Sequence, residues 1–161
     1  MSTLRQRIER ALDDETVKIQ HEMFEKCAVS LLRNIYPSLE SVAGGTDGGL
    51  DGRFIQDGKT IGLLITSSRR WAGSTANLRK NLKSVSANYP DIDTIIFSSL
   101  ADISMKRRQS LEKIAKNLGF TLSEVFGKDW FVDQFYDHPD WRKIILDLSL
   151  IHISEPTRRY A

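Results

Sequence analysis

The feature that most constrains this chain is the segment from Gly44 to Gly52, in which five of nine residues are glycine. Such a segment cannot form a stable helix, because glycine loses too much backbone freedom there. It provides positive φ angles and close backbone approach instead. Asp47 and Asp51 stand inside this segment, just before a predicted hairpin. We therefore expect a tight polar turn that leads directly into a sheet.

Apolar spacing around this segment predicts alternating helices and strands. The strand over 61–67 is apolar on both faces, which favours a central position in the sheet. An Asp57-Gly58 hairpin turn precedes it. The predicted helices cover 5–12, 15–34, 75–88, 104–118, 128–136 and 141–148, and the predicted strands cover 39–43, 53–56, 61–67, 93–98 and 120–125. This order predicts an α/β fold, a central mixed β-sheet flanked by helices on both sides.

The composition is that of an ordinary globular domain. A length of 161 residues suits one domain with a full core. No apolar run approaches the roughly 20 residues needed to cross a bilayer, so no membrane association is expected. The first residues lack the apolar core of a secretory signal. Lone Cys27 is expected to be a small buried hydrophobe, and a cytoplasmic location is predicted.

The end of the chain stands apart from the rest. Residues 149–161 resemble a peptide that recurs at the ends of unrelated sequence fragments, where non-genomic sequence was translated with the gene. We therefore predict a domain over 1–148 and a non-native tail over 149–161. A downstream domain of the same chain is then expected to be missing. The oligomeric state is left open, with a homo-oligomer among the alternatives.

The two aspartates suggest phosphodiester chemistry. Carboxylates at strand ends can hold Mg²⁺ near a phosphate, and glycine lets a bulky backbone come close. Asp47 and Asp51 could equally be turn residues, since Asp-Gly is common turn chemistry.

Phe24-Glu25, the Gly44–Gly52 segment, the hairpin and the following apolar strand together resemble the Mrr-type restriction-endonuclease-like (PD-(D/E)XK) fold. The resemblance covers about residues 15–148. It implies that Asp51 and Glu25 hold Mg²⁺, with Asp47 as an accompanying acidic residue, and that the substrate is DNA. It also implies a role within a multidomain defence or ATPase protein. Asp51 should then point toward the end of the 61–67 strand, with Glu25 approaching from a neighbouring helix.

The third motif departs from the family, whose strand ends in Gln/Glu-x-Lys. Here Ser67 and Arg69, or Thr66 and Ser68, take those places, and the period-2 alternation leaves the register open. Hydroxyls replace a carboxylate poorly, and arginine stays protonated. The alternative function is therefore a catalytically degenerate module that binds nucleic acid or a protein.

Basic residues after this strand are candidates for nucleic-acid contacts. They are Arg69, Arg70, Arg79, Lys80 and Lys83. Such clusters meet phosphates in some proteins and form solvated faces in more. Glu25 is as compatible with a solvent-exposed position as with a site. The three histidines form no pattern, so no histidine-based site is predicted.

Overall fold

The computed structural model of the chain describes residues 2–42 and 48–148. Its elements, in chain order, are α1 (Leu4–Asp13), α2 (His21–Leu32), β1 (Glu40–Ser41), β2 (Gly52–Gln56), β3 (Lys59–Thr66), α3 (Trp71–Asn88), β4 (Thr94–Ser99), α4 (Met105–Asn117), β5 (Thr121–Phe126), α5 (Lys128–Asp137) and α6 (Pro139–Leu146).

The strands form one five-stranded sheet in the order β1-β2-β3-β4-β5. Strands β1, β2 and β3 pair antiparallel, whereas β3, β4 and β5 pair parallel. The sheet is therefore mixed, and β3 is its central strand. This confirms the predicted α/β fold with a central mixed sheet.

Helices cover both faces of the sheet, as predicted. Leu63 and Ile65 of β3 pack in one core with residues of α1, α2, α5 and α6. Leu64, on the opposite face, packs in a second core with residues of α3 and α4. Cys27 is fully buried in the first core, which confirms its expected role as a small hydrophobe. Alternation along β3 therefore assigns each side chain to one of two layers.

The hairpin between β2 and β3 follows its sequence signal. Asp57 and Gly58 both adopt positive φ, 53° and 75°, as a two-residue hairpin turn of this type requires. The turn fixes the register in which Gly52 lies opposite Leu63. It thereby sets which β3 residues face the end of the glycine-rich segment.

Helix α2 begins at His21, so the prediction of a helix from residue 15 is wrong at its start. The Asp14 carboxylate accepts hydrogen bonds from the backbone N–H and the hydroxyl of Thr16, which forms a local turn. The guanidinium of Arg69 then binds the backbone carbonyls of Asp14 and Val17. These two carbonyls therefore accept hydrogen bonds from a side chain at least 52 positions away in the sequence and not from the backbone of a helix.

Helix α3 begins at Trp71, one turn before the predicted start at residue 75. The apolar pattern begins only at Leu78, because the buried position one turn earlier is occupied by Ser74. The Ser74 hydroxyl is satisfied there by a 2.7 Å hydrogen bond with the hydroxyl of Ser99. Helix α6 also begins earlier than predicted, with Pro139 in its first turn, where proline is favoured.

Two sequence predictions fall outside the described residues. Asp47 and the tail over 149–161 both lie there, so their predictions stay predictions. Within the described part of the chain, no helix is long and apolar enough to cross a membrane.

Candidate functional site

Asp51 is held at the point where the glycine-rich segment enters the sheet. Its backbone N–H donates to the carbonyl of Leu63 at 2.9 Å, and its carbonyl accepts from the N–H of Val42 at 3.1 Å. Its carboxylate Oδ2 accepts from the N–H of Ile65 at 2.7 Å. The side chain thus takes the place of a carbonyl that a neighbouring strand would offer to this N–H of β3. Asp51 points toward the end of the strand, as the sequence predicted.

Glu25 reaches Asp51 from α2, also as predicted. Both carboxyls line the same cleft. Burial raises the pKa of Asp51 to about 7, a value that includes a smaller upward contribution from the negative charge of Glu25. The Ile65 N–H and the charge of His21 oppose this rise in pKa. Paired carboxyls with a pKa near neutrality are common in sites that bind cations or transfer protons.

His21 completes the group and was missed in the sequence. Its Nε2 lies 2.5 Å from Oε1 of Glu25. Its Nδ1 lies 3.1 Å from the hydroxyl of Ser67. The four-residue spacing of His21 and Glu25 places them on one helical face, which was an available signal. Ser67, 46 residues away, could be connected to them only by the fold.

The structure settles which residues of the third motif face the site. Ser67 follows Leu63 and Ile65 on the α2 side of the sheet, where it meets His21. Thr66 is buried, and its hydroxyl accepts from the N–H of Ser68. Ser68 lies against α3, so that a Cβ added at Gly73 would come 2.3 Å from its hydroxyl. Ser67, and not Thr66, therefore contacts the His21 side chain that binds Glu25.

Arg69 makes contacts that tie the α1–α2 connection to the sheet. Its guanidinium donates to the backbone carbonyls of Leu12, Asp14 and Val17. The guanidinium of neighbouring Arg70 forms a double hydrogen bond with the exposed carboxylate of Glu15. Both side chains therefore fix the segment that precedes α2, the helix that carries His21 and Glu25.

A cleft of about 680 Å³ opens beside Asp51 and Glu25. Polar groups from α2 and α3 line it together with the residues of the site. They are His21, Glu22, Glu25, Lys26, Ser41, Asp51, Asn77, Lys80 and Asn81. Lys26 of α2 and Lys80 of α3 therefore line a cleft that also contains the carboxyls of Asp51 and Glu25.

The basic residues predicted for nucleic-acid contact separate in space. Lys80 lines the cleft beside Asp51. Arg79 lines a different groove, between α3 and α4, together with Lys113 and Trp71. Lys83 is an exposed residue of α3 that is not among the lining residues of either groove. Only Lys80 of this set lies at the walls of the carboxyl-bearing cleft.

The residues at the base of the cleft fit a hard divalent cation. Mg²⁺ prefers carboxylate oxygens and usually takes one or two of them, with water and substrate phosphate completing its shell. Asp51 and Glu25 offer two such carboxyls in one cleft. Within 2–42 and 48–148, no group of three or more histidine, cysteine, aspartate or glutamate side chains is arranged to hold a metal. A cation here would therefore depend on water and on a ligand for the rest of its coordination.

Comparisons with known proteins add no family to this geometry. No protein-family model matches the chain, and no curated protein is detectably similar to it.

Proposed function

We propose that this chain is a DNA-acting domain of the restriction-endonuclease-like kind, with its site at the Asp51–Glu25 cleft. The observation that carries the proposal is that these two carboxyls line one cleft at the end of the central strand, where the N–H of Ile65 holds Asp51. The element order also supports the proposal. The β2–β3 hairpin places Asp51 beside β3, and α2, which precedes the hairpin, carries Glu25.

Each residue has a definable part in such a site. Asp51 and Glu25 would hold Mg²⁺, and Lys26 and Lys80 would attract the phosphates of the backbone from the cleft walls. The cation would polarise the scissile phosphate as a Lewis acid. The raised pKa of Asp51 means that cation binding must displace a proton, so it should strengthen with pH up to about 7.

A second candidate function is a non-catalytic binding module, and one observation favours it. The end of β3 offers a hydroxyl from Ser67, while the guanidinium of Arg69 is committed to backbone carbonyls. Neither side chain supplies a carboxylate or a lysine to the site. We therefore expect slow Mg²⁺-dependent cleavage at best, with Mn²⁺ better tolerated. Binding of DNA should persist and weaken steeply with salt, within the larger defence or ATPase protein that the sequence resemblance implies.

The decisive experiment measures cleavage and binding of DNA by the wild type and by Asp51→Ala. Metal-dependent cleavage that Asp51→Ala abolishes would establish the enzyme. Salt-sensitive binding without cleavage, unchanged by Asp51→Ala, would establish the module. Absence of both binding and cleavage would overturn the nucleic-acid proposal and indicate a protein-interaction role.

A further inference from the structure

A chain of hydrogen bonds runs from the end of β3 to the carboxyl pair. The Ser67 hydroxyl contacts Nδ1 of His21 at 3.1 Å, and Nε2 of His21 contacts Oε1 of Glu25 at 2.5 Å. Glu25 lines the same cleft as Asp51. Three side chains from α2 and the end of β3 are thereby linked in one series that ends beside Asp51.

The hydrogen bond between His21 and Glu25 has a defined direction. A carboxylate can only accept, so Nε2 of His21 carries the hydrogen that Glu25 receives. The Ser67 hydroxyl can pair with Nδ1 in either state of the ring, because it donates to a neutral imidazole and accepts from a charged one. Ser67 thus fixes the ring of His21, and the ring fixes the carboxylate of Glu25.

An ordinary surface pair would not account for this arrangement. The side chains of His21 and Glu25 are 49% and 32% exposed, so their contact alone contributes little stability. The additional contact with Ser67 comes from the end of β3, and Glu25 lines the same cleft as Asp51. Both ends of the pair are therefore directed to the site.

We propose that Ser67 and His21 are positioning residues that hold Glu25 beside Asp51 for cation binding. This inference rests on the proposed function. The end of β3 then contributes to the site because Ser67 orients His21, and it supplies no cation ligand of its own. A glutamate with free rotation would lose side-chain entropy when it binds a cation, and the series removes part of that cost beforehand.

The test measures Mn²⁺ affinity by calorimetry, using the whole chain without nucleic acid. Ser67→Ala and His21→Ala should each weaken Mn²⁺ binding about tenfold, the usual scale for groups that orient a ligand. The double variant should be no weaker than either single variant, because the two residues act in series. His21→Gln, whose amide can still donate to Glu25, should recover part of the loss.

Ser110→Ala is the matched control. Ser110 is an exposed serine of α4 whose hydroxyl donates to the carbonyl of Lys106. The substitution removes a hydroxyl, as Ser67→Ala does, and should leave the Mn²⁺ affinity unchanged. Thermal unfolding of each variant separates loss of fold from loss of binding. A folded Ser67→Ala or His21→Ala with wild-type affinity, while Asp51→Asn loses Mn²⁺, would overturn the positioning role alone. A wild type that binds no Mn²⁺, or an Asp51→Asn that binds it equally well, would overturn the proposed cation site as well.

Discussion

The carboxylate of Asp51 accepts a 2.7 Å hydrogen bond from the backbone N–H of Ile65, in the place where a neighbouring strand would supply a carbonyl. A side chain thus completes the ladder of the central strand. This contact couples the sheet to the site, because removing the carboxylate would leave a strand N–H unpaired. An amide at position 51 keeps an acceptor for that N–H, whereas alanine does not.

The raised pKa of Asp51 predicts a pH-dependent stability. Its pKa is about 7 in the folded chain against an ordinary value of 3.8, so the folded state binds the proton more tightly. Its contribution is therefore greatest below about pH 4 and is lost as the pH rises to about 7. The free energy of unfolding of Asp51→Asn should gain about 4 kcal/mol relative to that of the wild type between pH 4 and pH 8. Urea unfolding at both pH values measures this change, and a constant difference would contradict the raised pKa.

Gly49 should be the most sensitive glycine beside the cleft. It has a φ of 76°, and an added Cβ would lie 2.7 Å from the carbonyl oxygen of Asn81. Gly49→Ala should therefore destabilise the fold by about 2–3 kcal/mol, combining backbone strain with a clash against α3.

Gly58→Ala provides the matched control for Gly49→Ala. Gly58 has a nearly identical φ of 75°, but nothing lies within 4 Å of an added Cβ. Only the strain remains, so a loss of about 1 kcal/mol is expected in chemical denaturation. Equal losses for the two variants would show that the contact of Gly49 with α3 contributes nothing.

Lys80 should contribute more to DNA binding than Lys83. Both are exposed lysines of α3, but only Lys80 lines the cleft that contains Asp51. Lys80→Ala should weaken binding several-fold and lower the slope of log affinity against log salt by about one. Lys83→Ala should change affinity less than about twofold. Fluorescence anisotropy at several salt concentrations measures both, and equal effects would place the DNA elsewhere.

The tail over 149–161 is predicted to be dispensable. A chain that ends at Leu148 should keep its free energy of unfolding within about 1 kcal/mol, the scale of ordinary surface changes. Thermal and urea unfolding of the shortened chain provide the measurement. Loss of a cooperative transition would show that the tail belongs to the domain.

The sequence by itself determined the features that depend on neighbouring residues. Asp57-Gly58 specified the hairpin, and Ser104 specified the start of α4, where its hydroxyl accepts from the N–H of Arg107. Apolar alternation specified the layers of the sheet, because burial on one or both faces leaves its period in the chain. Asp51 and Glu25 were identified through a family resemblance, and the fold brings them to one cleft.

Only the tertiary structure decided the features that depend on distant groups. The segment before α2 is held out of the helix partly by Arg69, whose guanidinium binds the carbonyls of Asp14 and Val17 from a distant part of the sequence. The contact of Ser67 with His21 resolves a register that period-2 alternation leaves ambiguous. The pKa of Asp51 follows from its burial and from the charge of Glu25. Desolvation and long-range hydrogen bonds are set by packing, and packing exists only once the chain has folded.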